Sequence, residues 1–100
     1  MITPDRWLVI EVIKGELYKV FGTWSGSYLY GDSWRLNSGI VDVVDTDEAF
    51  IFIGNSGSEY TCLKGRYGTT SYGSAFLSEE MKVMPEDTDW ARLIVTGNGE

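Results

Sequence analysis

The chain has 100 residues, 43% of them hydrophobic and 23% charged, with a formal net charge of −7, one cysteine and no histidine. That length makes one domain, residues 1–100, able to bury roughly 65% of its unfolded surface. The apolar content excludes a disordered chain. The missing histidine excludes Ser-His-Asp, Cys-His and His–metal chemistry, and one cysteine excludes an internal disulfide or a cysteine zinc site.

Taken in chain order, the opening residues Met1-Ile2-Thr3-Pro4-Asp5-Arg6 lack the basic and apolar regions of a secretory leader. No apolar run reaches the roughly 20 residues of a spanning helix. A cytoplasmic protein without a membrane partner is therefore expected. Residues 7–13 are rich in β-branched side chains and predict a strand. Lys14-Gly15 reads as a two-residue hairpin turn and 17–21 as the return strand. Thr3-Pro4-Asp5 offers a helix start instead, but the β-branched run outweighs it.

A three-strand meander follows. Residues 40–44 form its first strand and Asp45-Thr46-Asp47 a tight connection. Residues 49–53 are apolar throughout and predict a central strand buried on both faces. Asn55-Ser56-Gly57-Ser58 is a turn, and 60–64 close the meander. The core is then expected to hold Ile40, Val43, Phe50, Phe52, Ile53 and Leu63, with at least one of Trp24 or Trp34.

After Tyr67 the pattern changes. Ser74 predicts the cap of a short helix over 75–84, with Phe76, Leu77, Met81 and Met84 inward and Pro85 ending it. For 90–95 an edge strand is preferred over a helix capped by Asp87 or Asp89. The chain thus reads as mainly β: a strongly curved antiparallel sheet, or a small SH3-like or OB-like barrel, of five to six strands with one short helix. An α+β sandwich is the alternative.

Eight basic residues, Arg6, Lys14, Lys19, Arg35, Lys64, Arg66, Lys82 and Arg92, are scattered among 15 acidic ones. Polyanion binding needs clustered cations, so neither nucleic acid nor anionic lipid is an expected partner. The acidic residues gather in two groups, Asp42/Asp45/Asp47/Glu48 and Glu79/Glu80 with Glu86/Asp87/Asp89. Solubility explains them; an acidic inhibitor filling a basic site on another protein is the sharper reading.

Residues 24–39 differ in texture, with aromatics alternating with glycine and serine, and 65–73 repeat it. Rigid amphipathic rings among small residues make adaptable contact surfaces. The candidate ligand or partner site is therefore Tyr28, Tyr30, Asp32, Trp34, Arg35, Asn37, Tyr67 and Tyr72. Strand alternation puts Trp34 and Leu36 inward and Arg35 and Asn37 outward, where they would orient a ligand.

The run Gly31-Asp32-Ser33-Trp34-Arg35-Leu36-Asn37-Ser38-Gly39, followed by a hairpin and Ser56-Gly57-Ser58, resembles small bacterial proteins carried on mobile, integron-type gene cassettes. The resemblance spans roughly residues 17–75. It implies a self-contained bacterial domain and transfers no functional residue.

Other chemistry is weaker. Asp45-x-Asp47-Glu48 lacks the further ligands of a calcium loop, and Gly68 to Gly73 lacks the Lys-Ser/Thr of a phosphate loop. Neither a metal nor a cofactor is expected. Cys62, mid-strand, reads as an inert buried thiol. The expected function is a non-enzymatic binding or adaptor domain for a protein or small ligand, with a homodimer as one arrangement. Behind it stand the acidic inhibitor and, third, a small carboxylate-dependent enzyme using a pair such as Asp32 and Glu59.

Overall fold

A computed structural model describes residues 2–25, 33–77 and 81–92. The chain is mainly β and folds into two antiparallel sheets. Strands β1 (Arg6–Ile13), β2 (Leu17–Trp24), β3 (Ser33–Leu36), β4 (Ile40–Asp45), β5 (Ala49–Gly54), β6 (Glu59–Leu63) and β7 (Lys82–Val83) occur in that order, with a one-turn helix α1 (Ser71–Ser74) after β6. The first sheet has the order β3-β2-β1-β7 and the second β4-β5-β6. The described strands thus divide between two sheets, where the sequence predicted one curved sheet or barrel.

Local sequence explains the hairpins. β1 and β2 pair from Arg6↔Thr23 to Ile13↔Leu17, so the turn holds three residues instead of the expected two. Glu16 N–H bonds to the Ile13 carbonyl at 2.9 Å, and Gly15, at φ 72°, supplies the left-handed residue that this turn needs. The Glu11 carboxylate ties the turn down by accepting from Gly15 N–H at 3.0 Å and from the Tyr18 hydroxyl at 3.1 Å. The Gly15 N–H, foremost, holds the Glu11 carboxyl below its ordinary range. The meander forms as expected, with β5 central. At the β4–β5 connection, Thr46 Oγ1 donates to the Ala49 carbonyl at 2.8 Å and accepts from Ala49 N–H at 3.0 Å.

The sheets meet over a core of Trp7, Val9, Tyr18, Val20, Ile40, Phe52, Tyr60, Cys62, Met84 and Trp90. Trp7 is its hub, with ring centroids of Tyr67, Phe52, Phe50 and Trp90 at 4.7, 5.6, 6.1 and 6.2 Å. Its indole N–H donates to the Leu63 carbonyl at 2.8 Å, joining the two sheets. Two parallel bridges, Ile2↔Tyr60 and Trp7↔Tyr67, add backbone stitches. A smaller cluster of Leu8, Ile10 and Phe21 covers the opposite, outer face of the first sheet, with Leu36, Tyr67 and Leu77 packed on it.

Several expectations are corrected. Of the predicted core, Ile40 and Phe52 are buried, whereas Val43, Phe50, Ile53 and Leu63 are only half-buried. The second sheet has its covering layer on one side, so β5 is not buried on both faces. Neither Trp24, half-buried, nor Trp34, exposed, is in the core; Trp7 and Trp90 are. The helix expected over 75–84 is replaced by α1, capped by Thr70, and by strand β7. Residues 90–92 are helical where a strand was preferred; Arg92 N–H bonds to Asp89 Oδ1 at 3.3 Å, the cap of the alternative reading. Residues 93–95 lie outside the described residues. Cys62 is fully buried in the core, and burial pushes its thiol above the ordinary range, as an inert thiol requires.

Candidate functional site

The outer face of the first sheet carries an open aromatic cluster. β3 pairs with β2 so that Trp34 lies opposite Thr23 and Leu36 opposite Phe21. Side chains alternate across a strand, so Trp34 shares the face of Phe21. The Trp34 ring stacks on buried Phe21 at 5.6 Å and 28°. Phe76 lies over Trp34 at 5.2 Å, and Tyr72 meets Phe76 edge-on at 5.0 Å. Trp34, Phe76 and Tyr72 remain 41%, 43% and 40% exposed. Single exposed apolar side chains are ordinary, but three large rings in mutual contact form a patch.

Helix α1 holds that patch in place. Thr70 Oγ1 accepts from Gly73 N–H at 3.0 Å, which starts the turn. Gly73 is buried against Thr23 and Phe21 and lets the helix backbone lie directly on the sheet. Tyr72 is set by the helix itself, and Phe76 by the bond of its N–H to the Gly73 carbonyl at 3.0 Å. The cluster offers ring faces and edges, with the Trp34 indole N–H and the Tyr72 hydroxyl as its polar groups. Its chemistry is contact and stacking.

The sequence-predicted site residues divide. Trp34 and Tyr72 come together, in the cluster just described. Arg35 is exposed on the opposite face of β3, near enough to Tyr60 to oppose the burial that raises that phenol. Asn37, expected outward, is 3% exposed. Its Oδ1 accepts from Val20 N–H at 2.9 Å while its own N–H donates to the Val20 carbonyl at 3.1 Å. The amide continues the pairing of β3 with β2 beyond Leu36, a structural role. Tyr28, Tyr30 and Asp32 lie outside the described residues. Phe76 joins the site unforeseen, because the sequence placed it on the buried side of a longer helix.

Tyr67 is also corrected. Its ring packs on Trp7, and its hydroxyl donates to the Met84 carbonyl and accepts from Val9 N–H at 3.2 Å. It is a strut between β1 and the chain entering residue 84. Burial, chiefly, pushes the phenol up to about 12; the Val9 N–H opposes the rise and Glu86 adds to it. In the unfolded chain a tyrosine ionises near 10. Between about pH 10 and 12 the unfolded state therefore loses this proton first, and stability falls as pH rises. Tyr67→Phe is expected to cost about 1–2 kcal/mol near neutrality, since Val9 N–H loses its acceptor. It should also flatten part of the alkaline loss, measured by urea melts from pH 8 to 12.

A concavity lies on the other sheet. A cleft of about 130 Å³ is lined by Val43, Phe50, Trp90 and Thr88, with Asp45 and Asp89 at it. Each carboxylate comes from a different acidic group of the sequence. Lys64 Nζ pairs with Asp45 at 2.7 Å and sits 4.7 Å from the Phe50 ring centroid. The Trp90 indole N–H is buried and has no acceptor among the described residues.

No family model, curated protein or solved structure matches the chain. Among the described residues, no helix is long and apolar enough to cross a membrane.

Proposed function

We propose that the chain is a non-enzymatic binding domain whose recognition surface is the outer aromatic patch of Trp34, Phe76 and Tyr72. The carrying observation is that these three rings, each about two-fifths exposed, pack in a row, Tyr72 on Phe76 and Phe76 on Trp34, instead of turning into the core. A packed cluster of this kind presents contact area at little cost in side-chain entropy. The partner is a protein surface, including a second copy of this chain, or a small planar ligand. Nucleic acid is disfavoured by the net charge of −7.

The two sheets, joined by the Trp7 indole bond to the Leu63 carbonyl, read as a curved and incompletely closed relative of the small SH3-like or OB-like barrels. A cytoplasmic setting and an origin on a bacterial gene cassette rest on the sequence alone.

The test is the double variant Trp34→Ser/Phe76→Ser. Each ring is about three-fifths buried, so stability should fall by about 2–4 kcal/mol, less than the 5–15 kcal/mol a domain of this size holds. Capture of co-purifying molecules from the native host, or self-association in sedimentation, should be lost. A folded double variant that retains every partner and the same oligomeric state would overturn the reading.

The acidic-inhibitor reading stands second. One observation favours it: Asp45 and Asp89, from the two acidic groups, line the same cleft.

A further inference from the structure

We infer that the outer aromatic face receives an acidic polypeptide segment, one that carries an aromatic or aliphatic side chain among its carboxylates. The inference rests on the binding reading above and names the chemistry of the partner.

The charges of the chain are segregated. Leu8 and Ile10 face outward in the outer cluster, and strand alternation turns Arg6 the same way. Lys19 lies opposite Ile10 and shares its face. Arg6 is exposed and Lys19 half-buried, and neither pairs with a carboxylate among the described residues. The other described outward positions of the strands are uncharged. So is the whole segment 67–77, which lies over them through Tyr67, Gly73 and Leu77. In a chain with 15 acidic residues against 8 basic ones, the described part of this face thus holds two free cations and no carboxylate. The acidic residues of β4 and its turn, Asp42, Asp45, Asp47 and Glu48, belong to the other sheet.

The register sets the spacing. Arg6, Thr23 and Trp34 stand side by side across β1, β2 and β3, so Arg6 and Trp34 are two strands apart, about 10 Å at about 4.8 Å per strand. Lys19 is four residues from Thr23 along β2, about 13 Å at about 3.3 Å per residue. The ring cluster and the two cations are thus three corners of one face. An extended segment with carboxylates four residues apart spans the cations, and an apolar side chain between them reaches toward the rings. Ring contact supplies most of the affinity, and the ion pairs supply orientation and selection. A nucleic acid fits less well, because two cations so far apart neutralise few phosphates. Exposed charges farther away than about 8 Å are largely screened at physiological salt, so the net charge of −7 does not outweigh the two local cations.

The experiment is a titration of the full chain with the blocked peptide acetyl-Asp-Ser-Phe-Ser-Asp-amide, followed by the indole ¹H–¹⁵N resonance of Trp34 at constant ionic strength. The comparison probes carry Asn or Lys in place of both Asp, or Ala in place of Phe. The acidic peptide should give a saturable shift below about 5 mM, the weak end of recognition. The Asn peptide should bind about fivefold more weakly, the value of two screened surface pairs, and the Lys peptide more weakly still. The Ala peptide should not saturate. Arg6→Gln/Lys19→Gln should make the Asp and Asn peptides equal, with an unmoved Trp7 indole resonance as the check on the fold.

A saturable shift that prefers Asp over Asn, and loses that preference in the double variant, supports the proposal. Equal binding of the Asp and Asn peptides overturns the acidic partner and leaves the face as a binding surface for apolar groups. A Trp34 resonance that moves on dilution of the chain alone, with no response to peptide, makes a second copy the occupant and overturns it too. No saturable response to any probe also overturns it; the binding reading itself then stands or falls on Trp34→Ser/Phe76→Ser.

Discussion

Truncation of Trp7 to alanine is expected to remove about 3–5 kcal/mol of stability, the range for deleting a large buried aromatic. Domains of this size hold about 5–15 kcal/mol in all, so the loss takes a large share of the total. The cost has three sources. Trp7 is 1% exposed and shares with Trp90 the largest side chain in the core. Its ring meets four other aromatic rings, so a cavity there cannot be filled by one neighbour. Its indole N–H is also the donor to the Leu63 carbonyl, a bond between the sheets across 56 residues. Trp7→Phe keeps most of the apolar volume and loses that donor, and should cost about half as much. Urea melts followed by circular dichroism measure both. A loss under about 1 kcal/mol in Trp7→Ala would show that the two sheets do not depend on this ring.

The same tryptophan marks where the sequence stops being legible. The hairpins were readable because each is written locally: two apolar runs of strand length with turn residues between them. The positions of β1, β2, β4, β5 and β6 follow from that, as does the burial of Ile40 and Phe52. The hub was not readable. Trp7 stands at the start of its strand, and its partner Trp90 arrives from a segment more than 80 residues away. Nothing in the local pattern of either residue distinguishes it from Trp34, which the fold leaves open.

The helix expected over 75–84 failed for a related reason. Phe76, Leu77, Met81 and Met84 have helical spacing, which would place them on one face. In the fold, Leu77 packs on the outer cluster and Met84 in the inner core. The chain passes from one side of the first sheet to the other, with β7 on the edge of β1 and Met84 N–H bonded to the Val9 carbonyl at 2.8 Å. A single helix cannot reach both sides, so tertiary packing overrode the period. Asn37 shows a third kind of loss. Alternation sends it outward, but an amide that takes up a backbone pairing leaves no trace in the hydrophobic pattern.

Gly73→Ala is the second large effect expected, and its sign separates packing from propensity. Helix propensity alone predicts a gain of up to about 1 kcal/mol, since alanine is the better helix former. The packing predicts a loss. An added Cβ would stand 2.3 Å from Thr69 Oγ1 and 2.4 Å from Thr23 Cγ2, distances that real contacts do not show. Both obstacles are short β-branched side chains with little freedom to swing away. Thr23 is fully buried and its hydroxyl is directed at the Arg6 carbonyl, 3.4 Å away. The helix must therefore lift, and the expected net cost is about 2–3 kcal/mol, as for overpacked cores.

Lifting α1 also takes Phe76, with Tyr72 beside it, off Trp34. The indole ¹H–¹⁵N resonance of Trp34 should then move, while that of Trp7, in the inner core, should not. The double variant Thr23→Ser/Gly73→Ala removes the Cγ2 obstacle and should recover more stability than Thr23→Ser alone predicts, a coupling of about 1 kcal/mol or more. Adding Thr69→Ala deletes a buried hydroxyl that has no hydrogen-bond partner among the described residues, and should recover more still. If Gly73→Ala stabilises the protein, α1 does not rest on the sheet at this glycine, and the aromatic patch loses its support.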